Sequence, residues 1–299
     1  MKPATAPTPT PLGPRELELV LALVRGRTLA EAGRRLGLDT SSVYRAVKKL
    51  EQRLGVPLFD RHRQGMAPGE LALALAERAE AVEAQLDAAR ELLQGDTAAL
   101  TGLLRVSAND LGLHGLLLPL IGPFVRAHPQ LQLELLATNQ RARLEHREAD
   151  VALRGTAEPP GHLVGVRLGV VRSALWAHQR YLDSLPPGTP VEAMAWAAPE
   201  ADPNLPNYPS RRWRLARYPT VQPQLRCDGM LAVARAVQAG AAVGVAPHFL
   251  MAGVPGLVDL SGPLPEIDTE LWLLTHPDMR HLRRVKAFFD FVRTNLELP

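Results

Sequence analysis

One cysteine, Cys227, stands in a chain of 299 residues. A single thiol has no partner for an intramolecular disulfide, which excludes the cross-linked secreted scaffolds and fits a reducing cytoplasm. Long apolar runs are missing too. The richest, 111–125, is interrupted by His114, Pro119 and Pro123, so no segment is built to span a bilayer. The opening MKPATAPTPTPLGP has no apolar stretch of the kind a signal peptide needs, and its five prolines favour an extended, disordered tail over 1–13. Catalytic signatures are equally scarce: there is no GxSxG elbow, no HExxH and no cluster of Cys and His. The Gly-rich stretch 240–247 contains neither GxGxxG nor GxxxxGKS/T, and its glycines read as a tight helix-to-strand return. His276 and His281 come nearest to a metal pair, but a five-residue gap around a helix start is poor ligand geometry. They read as solvent-exposed histidines beside Arg280, Arg283 and Arg284. The chain is expected to carry no catalytic residue, no metal and no resident cofactor.

Charge is modest in total and uneven in placement. Between Met1 and Gly65 twelve Lys and Arg stand against six Asp and Glu, a local +6 in a chain whose net charge is +3, so the remainder is −3. A basic N-terminal module on a mildly acidic body is the footprint of a domain that binds a polyanion. The length admits two or three domains, each able to bury a core.

The segment 29–61, LAEAGRRLGLDTSSVYRAVKKLEQRLGVPLFDR, carries the sharpest signal. It reads as two short amphipathic helices joined by a Gly37-Leu38-Asp39 turn, with Thr28 and Glu31 forming a capping box on the first. The second helix places Val43, Val47, Leu50 and Leu54 on one face. Its other face shows Ser42, Tyr44, Arg45, Lys48 and Lys49, joined at the start by Ser41 and by Thr40, a residue that could instead serve as a cap. A greasy back and a hydrogen-bonding, cationic front suit the major groove of double-stranded DNA. An ordinary basic surface helix has the same look. The neighbours separate the two: Leu17, Val20, Leu21 and Val24 mark a preceding helix that completes a three-helix core, and Arg61 and Arg63 lie in a Gly65-terminated segment with the makings of a wing.

This order of residues resembles the winged helix-turn-helix of LysR-type transcriptional regulators. Ala30, Ala32 and Leu36 in the first helix carry the resemblance, with Arg45, Leu50 and Glu51 in the second and Leu54-Gly55-Val56-Pro57-Leu58-Phe59 leading into the wing. It implies a DNA-binding module over 14–70 with Thr28, Thr40, Ser41, Ser42, Tyr44, Arg45, Lys48, Lys49, Arg61 and Arg63 as its contact set. Thr40-Ser41 and Tyr44 stand where the family commonly has Gln-Pro and Ser.

Residues 71–95 are rich in Ala, Leu and Glu and free of Pro before Gly95, and they predict one long helix. Leu75, Ala79, Val82, Leu86, Ala89 and Leu93 recur at alternating steps of four and three, the period of a coiled-coil seam. Packing on its own domain is the alternative use of such a face. The family resemblance implies a linker that dimerises, giving a homodimer or a tetramer.

From Leu103 the pattern changes to alternating strands and helices, which predicts a parallel sheet with ligand crevices at the strand C-termini. Strands are expected near 103–107, 132–136, 150–153 and 270–274. Helices are expected over 113–127, 141–147 and 230–239, and a final one should bury Leu282, Val285, Phe289, Val292 and Leu296. The middle, 185–223, is rich in Pro, and its aromatics Trp196, Tyr208 and Trp213 read as packing residues before pocket residues. "RAHPQLQLEL", "ADVALRG" and "ARAVQAGAAVGVAPHFL" resemble landmarks of the family's effector-binding domain, akin to periplasmic binding proteins. The fold expected overall is α+β: the winged helix-turn-helix, the linker helix and a two-lobed α/β domain over 100–299. Lobe I takes about 100–172 and 270–299, and lobe II about 173–269.

Strand ends and the resemblance together place an effector near Ser107, Asn109 and Asp110, near Thr138 and Asn139, and near Arg154, Cys227 and Asp228. A helix starting after Asp110 would offer free N–H groups to an anion with Arg154 as counter-charge. Asp110 argues equally for a neutral or cationic ligand. Cys227 is either a thiol sensor or a small packed residue. The reading is a cytoplasmic regulator of LysR type that binds operator DNA and a small-molecule effector, with no membrane association and with room for RNA polymerase as a further partner. An α/β enzyme with an accessory helix-turn-helix and a non-sensing architectural DNA binder are its rivals.

Overall fold

Pro14 opens helix α1 (Pro14–Gly26) at a position where a missing N–H costs nothing, and the Gly13 N–H just before it donates to Glu16 Oε2 at 3.0 Å. The structure, a computed structural model, describes residues 12–62, 65–94, 99–137, 149–199 and 208–298. It divides into one unit from Met1 to Gly95 and a second built from nearly all of the chain from Asp96 on.

In the first unit Thr28 caps α2 (Leu29–Leu36), its hydroxyl accepting from the Glu31 N–H at 3.1 Å. The other half of the expected capping box is not made, because the Glu31 carboxylate turns to Arg34 and Arg35. Gly37, at φ +66°, ends α2 in the left-handed region where a Cβ is costly. Helix α3 (Thr40–Leu54) follows, then the wing, an antiparallel pair of β1 (Phe59–His62) and β2 (Gly65–Pro68). Helix α4 (Glu70–Gln94) closes the unit. One core joins these elements: Val20 and Leu23, Ala32, Val43, Val47 and Leu50, Leu58 and Phe59, Met66, and Ala72, Ala76 and Ala79 of α4. The small residues of α4 let its first half lie close on this core.

The second unit holds two lobes. The first has a five-stranded sheet ordered β4 (Leu131–Ala137), β3 (Gly102–Ala108), β5 (Val151–Gly155), β12 (Thr269–Thr275), β6 (Val164–Val171). The expected parallel sheet is in fact mixed. β3 pairs in parallel with β4 and β5, but β12 runs antiparallel to both β5 and β6. After β3 the chain forms α5 (Asp110–Gly112), a π-helical turn Leu113–Leu117 and α6 (Leu118–Ala127). The helix expected at 141–147 lies outside the described residues. The chain passes from β6 at Val171 to β7 (Ser173–His178) of the second lobe, which is followed by α7 (Gln179–Leu182) and β8 (Ala197–Pro199). The Pro-rich middle also supplies α8 (Pro209–Arg217) and β9 (Leu225–Cys227). Then come α9 (Met230–Gln238), β10 (Gly244–Pro247), α10 (His248–Met251) and β11 (Leu257–Asp259). A 3-10 turn, Pro265–Ile267, leads back to β12, and α11 (Arg283–Asn295) ends the fold. The second lobe's sheet is ordered β10-β7-β11, and β8 and β9 pair in parallel beside it.

Two expectations about side chains change. Phe288, not Phe289, is the fully buried aromatic of α11, since the steps from Val285 to Phe288 and Val292 are three and four; Phe289 and Leu296 are half-buried. His276 is buried rather than exposed, with its ring 5.6 Å from that of His162, while His281 is exposed.

Candidate functional site

The front of α3 begins with a cap. Asp39, not Thr40, holds the helix start: its carboxylate accepts from the Ser42 N–H at 2.9 Å and from the hydroxyls of Ser41 and Ser42 at 2.6 Å each. These bonds hold the Asp39 carboxyl far below the usual carboxylate range, the Ser41 bond first among them. Thr40 is exposed as the first helical residue. Ser41 and Ser42 therefore present hydroxyls that are already oriented, and Ser42 Oγ also accepts from Arg45 at 3.2 Å.

Behind them Glu51 is buried and serves three donors. Its Oε1 accepts from the N–H groups of Leu58 (2.9 Å) and Phe59 (3.2 Å), which fixes the entry to the wing, and Oε2 takes Lys48 Nζ at 2.8 Å. Burial alone would raise the Glu51 carboxyl, but those hydrogen bonds outweigh it and hold it below its ordinary value. Lys48 is thus partly committed to the protein. Lys49 and Arg45 are exposed, and Tyr44 is half-buried between them and the core side of the helix. The Thr28 hydroxyl is occupied as the cap of α2. Arg61 sits on β1; Arg63 lies outside the described residues.

The seam proposed along α4 splits in two. Leu75 and Ala79 pack into the core of their own unit, which corrects their assignment to a partner-facing seam. Val82 and Leu86 are 38% and 45% exposed, and Ala89 is exposed with them. Leu93 lies at the end of the same helix.

In the second unit a cavity of about 570 Å³ opens between the lobes. Asn109 and Arg154 line it, with Thr156 and Ser173. Apolar walls come from Leu116, Met230, Phe249 and Leu271. Ser107 stands behind Arg154: it is buried, and its Oγ accepts from Arg154 Nη2 at 2.9 Å. The helix start does not offer its free N–H groups to a ligand. Asn109 is the cap, its Oδ1 accepting from the Gly112 N–H at 2.7 Å. Asp110 Oδ1 accepts from the Leu111 N–H at 2.8 Å, and its Oδ2 reaches the Leu231 N–H of α9 at 3.4 Å. Asp110, Cys227 and Asp228 are not among the cavity-lining residues, so direct effector contact by these three is not supported. Burial and then the Asp228 charge push the Cys227 thiol up, opposite to what a reactive thiolate needs. Thr138 and Asn139 lie outside the described residues.

Two lining residues carry no motif. Tyr208 and Asp268 are among the lining residues, and the Tyr208 hydroxyl and Asp268 Oδ1 are buried without a hydrogen bond. Burial first, then the charges of Asp110 and Asp228, push the Tyr208 phenol up to about 12. Of the three aromatics of the Pro-rich middle, Tyr208 lines the cavity, whereas Trp196 is buried in the lobe II core and Trp213 Nε1 donates to Glu266 at 2.8 Å. Among the described residues no three or more His, Cys, Asp or Glu side chains gather where they could hold a metal, and no helix is long and apolar enough to cross a membrane.

Residues 14–73 match the model of the bacterial regulatory helix-turn-helix protein, lysR family, and residues 97–297 that of the LysR substrate binding domain. The HTH-type transcriptional regulator CrgA of Neisseria meningitidis is 31% identical over 164 residues, which cover 53% of this chain and 54% of that one. PtxR of Pseudomonas aeruginosa is 26% identical over 290 residues, covering 92% and 90%. The chain spans about half the length of the first curated relatives it matches, 48% of one from Xanthomonas campestris and 54% of CrgA. Among solved structures, a full-length OxyR variant from Pseudomonas aeruginosa superposes with a TM-score of 0.67 at 17% identity over 94% of this chain and 97% of that chain, a likeness of fold.

Proposed function

The chain belongs to the LysR family of bacterial regulatory helix-turn-helix proteins, and we propose that it is a DNA-binding transcriptional regulator whose output is set by a small molecule held between the lobes of its second unit. The observation that carries this reading is the union, in one polypeptide, of an exposed cationic recognition helix with a two-lobed domain that encloses a ligand-sized cavity. Lys49 and Arg45 supply phosphate attraction. Tyr44, Ser41 and Ser42 are placed for base edges, with Asp39 fixing the two hydroxyls. An architectural DNA binder has no use for the cavity, and the relatives are named transcriptional regulators rather than enzymes.

Exposed Val82, Leu86 and Ala89 of α4 support assembly into a dimer, and a dimer in turn calls for a partly palindromic operator. This reading assigns the protein to the cytoplasm, where its DNA is. Genomic footprinting with the purified full-length chain tests it. The expected result is protection at discrete sites with partial dyad symmetry. Uniform, sequence-independent protection would overturn the assignment.

A further inference from the structure

The cavity between the lobes has one charged pole that its own walls leave unanswered. Arg154 lies on β5 and lines the cavity, and burial is the one influence that shifts its guanidinium, pushing it down to about 10. Its two hydrogen bonds, to the Leu153 carbonyl and to Ser107 Oγ, both at 2.9 Å, go to uncharged acceptors and hold the head in place. Among the described residues no carboxylate pairs with it. A guanidinium has five N–H donors, so some remain for a guest, and a buried cation without a counter-charge favours an anion.

A second donor stands at the same end. Ala108 and Leu153 face each other across the parallel pair of β3 and β5, and Asn109 and Arg154 are the residues that follow them. The Asn109 Oδ1 is taken by the Gly112 N–H, which leaves the Nδ2 and its two N–H groups on the side away from the cap. Neither Asn109 Nδ2 nor Arg154 Nε has a hydrogen-bond partner among the described residues, and neither is sealed from solvent as the Tyr208 hydroxyl and Asp268 Oδ1 are. Both are accessible donors on cavity-lining residues. The lining carboxylates Glu158 and Glu266 belong to exposed residues, where water screens them, and Glu266 already accepts from Trp213.

We propose that the cavity binds a small organic monocarboxylate with an apolar body, its carboxylate on Arg154 and Asn109 and its body against Leu116, Met230, Phe249 and Leu271. The proposal rests on the sensor reading given above and names the ligand class for that site. One buried cation answers one negative charge; Arg212, the other cation among the described lining residues, is exposed. A dicarboxylate would bring a second charge against the apolar wall or toward Glu158 and Glu266. An inorganic oxyanion would leave the apolar wall to water, and an amine would set its charge beside Arg154.

The test is isothermal titration of the full-length chain with hexanoate, octanoate, phenylacetate, benzoate and cinnamate, each beside its uncharged primary amide, and with adipate, sulfate and phosphate. The expected result is that at least one monocarboxylate binds, and that its amide and the other three anions bind about tenfold more weakly or worse. In Arg154→Gln that acid and its amide should bind alike. Asn109→Asp keeps a cap oxygen for the Gly112 N–H but puts a negative charge where the donor stood, so it should weaken the acid about tenfold more than the amide. Thermal melting of each variant confirms that it folds, and the cap-preserving Asn109→Asp alone suffices for the comparison. Binding by no monocarboxylate overturns the proposal, as does an amide that matches its acid on the wild-type chain. Adipate, sulfate or phosphate binding as tightly as the acid overturns it too, and so does a folded variant that keeps the full preference. Footprinting on the same preparation reads the regulator assignment separately. A retained footprint without monocarboxylate binding removes only the ligand class, whereas loss of the footprint removes the reading beneath it.

Discussion

Two carboxylates decide what the recognition helix can offer to DNA. Asp39 faces outward and ties two serine hydroxyls, while Glu51 faces inward and ties the wing to α3 through the N–H groups of Leu58 and Phe59. Because folding lowers the Glu51 carboxyl, its contribution is fully present above the ordinary carboxylate range and is lost as pH falls through the lowered folded value. Glu51→Gln is expected to cost the first unit roughly 1–3 kcal/mol at neutral pH. It should also flatten the acid side of the stability profile, and urea melts across acid and neutral pH check both. Glu51 also separates two neighbouring lysines. Lys49→Ala should lower the slope of log affinity against log salt by about one unit, as the loss of one phosphate contact does. Lys48→Ala should move the slope less and stability more, since its ammonium already serves Glu51. Salt titrations of operator binding for the two variants settle the order, and equal slopes would remove Lys49 from the phosphate backbone.

At the level of elements, the helix-turn-helix depends on how closely α2 comes to the turn that follows it. A Cβ on Gly33 would sit 2.5 Å from the Leu38 carbonyl oxygen, a backbone atom that can withdraw only if the turn opens. Gly33→Ala should therefore lower the melting temperature and weaken DNA binding. Gly37→Asn, at a left-handed position with open space around it, should be tolerated far better. Equal behaviour of the two variants in thermal melts would show that the turn is not tight. These helices were legible in the sequence because 3.6-residue periodicity, caps and turn residues are local signals. Other features were less so. The π-helical turn at Leu113–Leu117 has the same apolar composition as ordinary helix, and Phe288 and Phe289 are adjacent aromatics that only the packing of α11 tells apart.

Across the whole molecule, the features hardest to read were those made by distant pieces of chain. β12 returns from the second lobe to run antiparallel between β5 and β6, and nothing within Thr269–Thr275 encodes that direction. The same return brings Asp268 to the cavity that Arg154 and Asn109 line from the other end of the domain's sequence, and Tyr208 joins them from a Pro-rich stretch with no motif. Charge, by contrast, was legible from composition alone, and it carries a prediction about assembly. Each protomer brings its own basic first unit, so a dimer on a two-half-site operator should release about twice the counterions of a monomer. Leu86→Glu places a carboxylate in the exposed apolar face of α4, where an unpaired buried charge would cost a dimer several kcal/mol. Sedimentation should then show a monomer, and the salt slope for operator binding should fall to about half that of the wild-type chain. A variant that sediments as the wild type does would move the contact away from this face. A monomer with an undiminished slope would mean that one first unit supplies all the phosphate contacts, leaving the operator no second half-site to read.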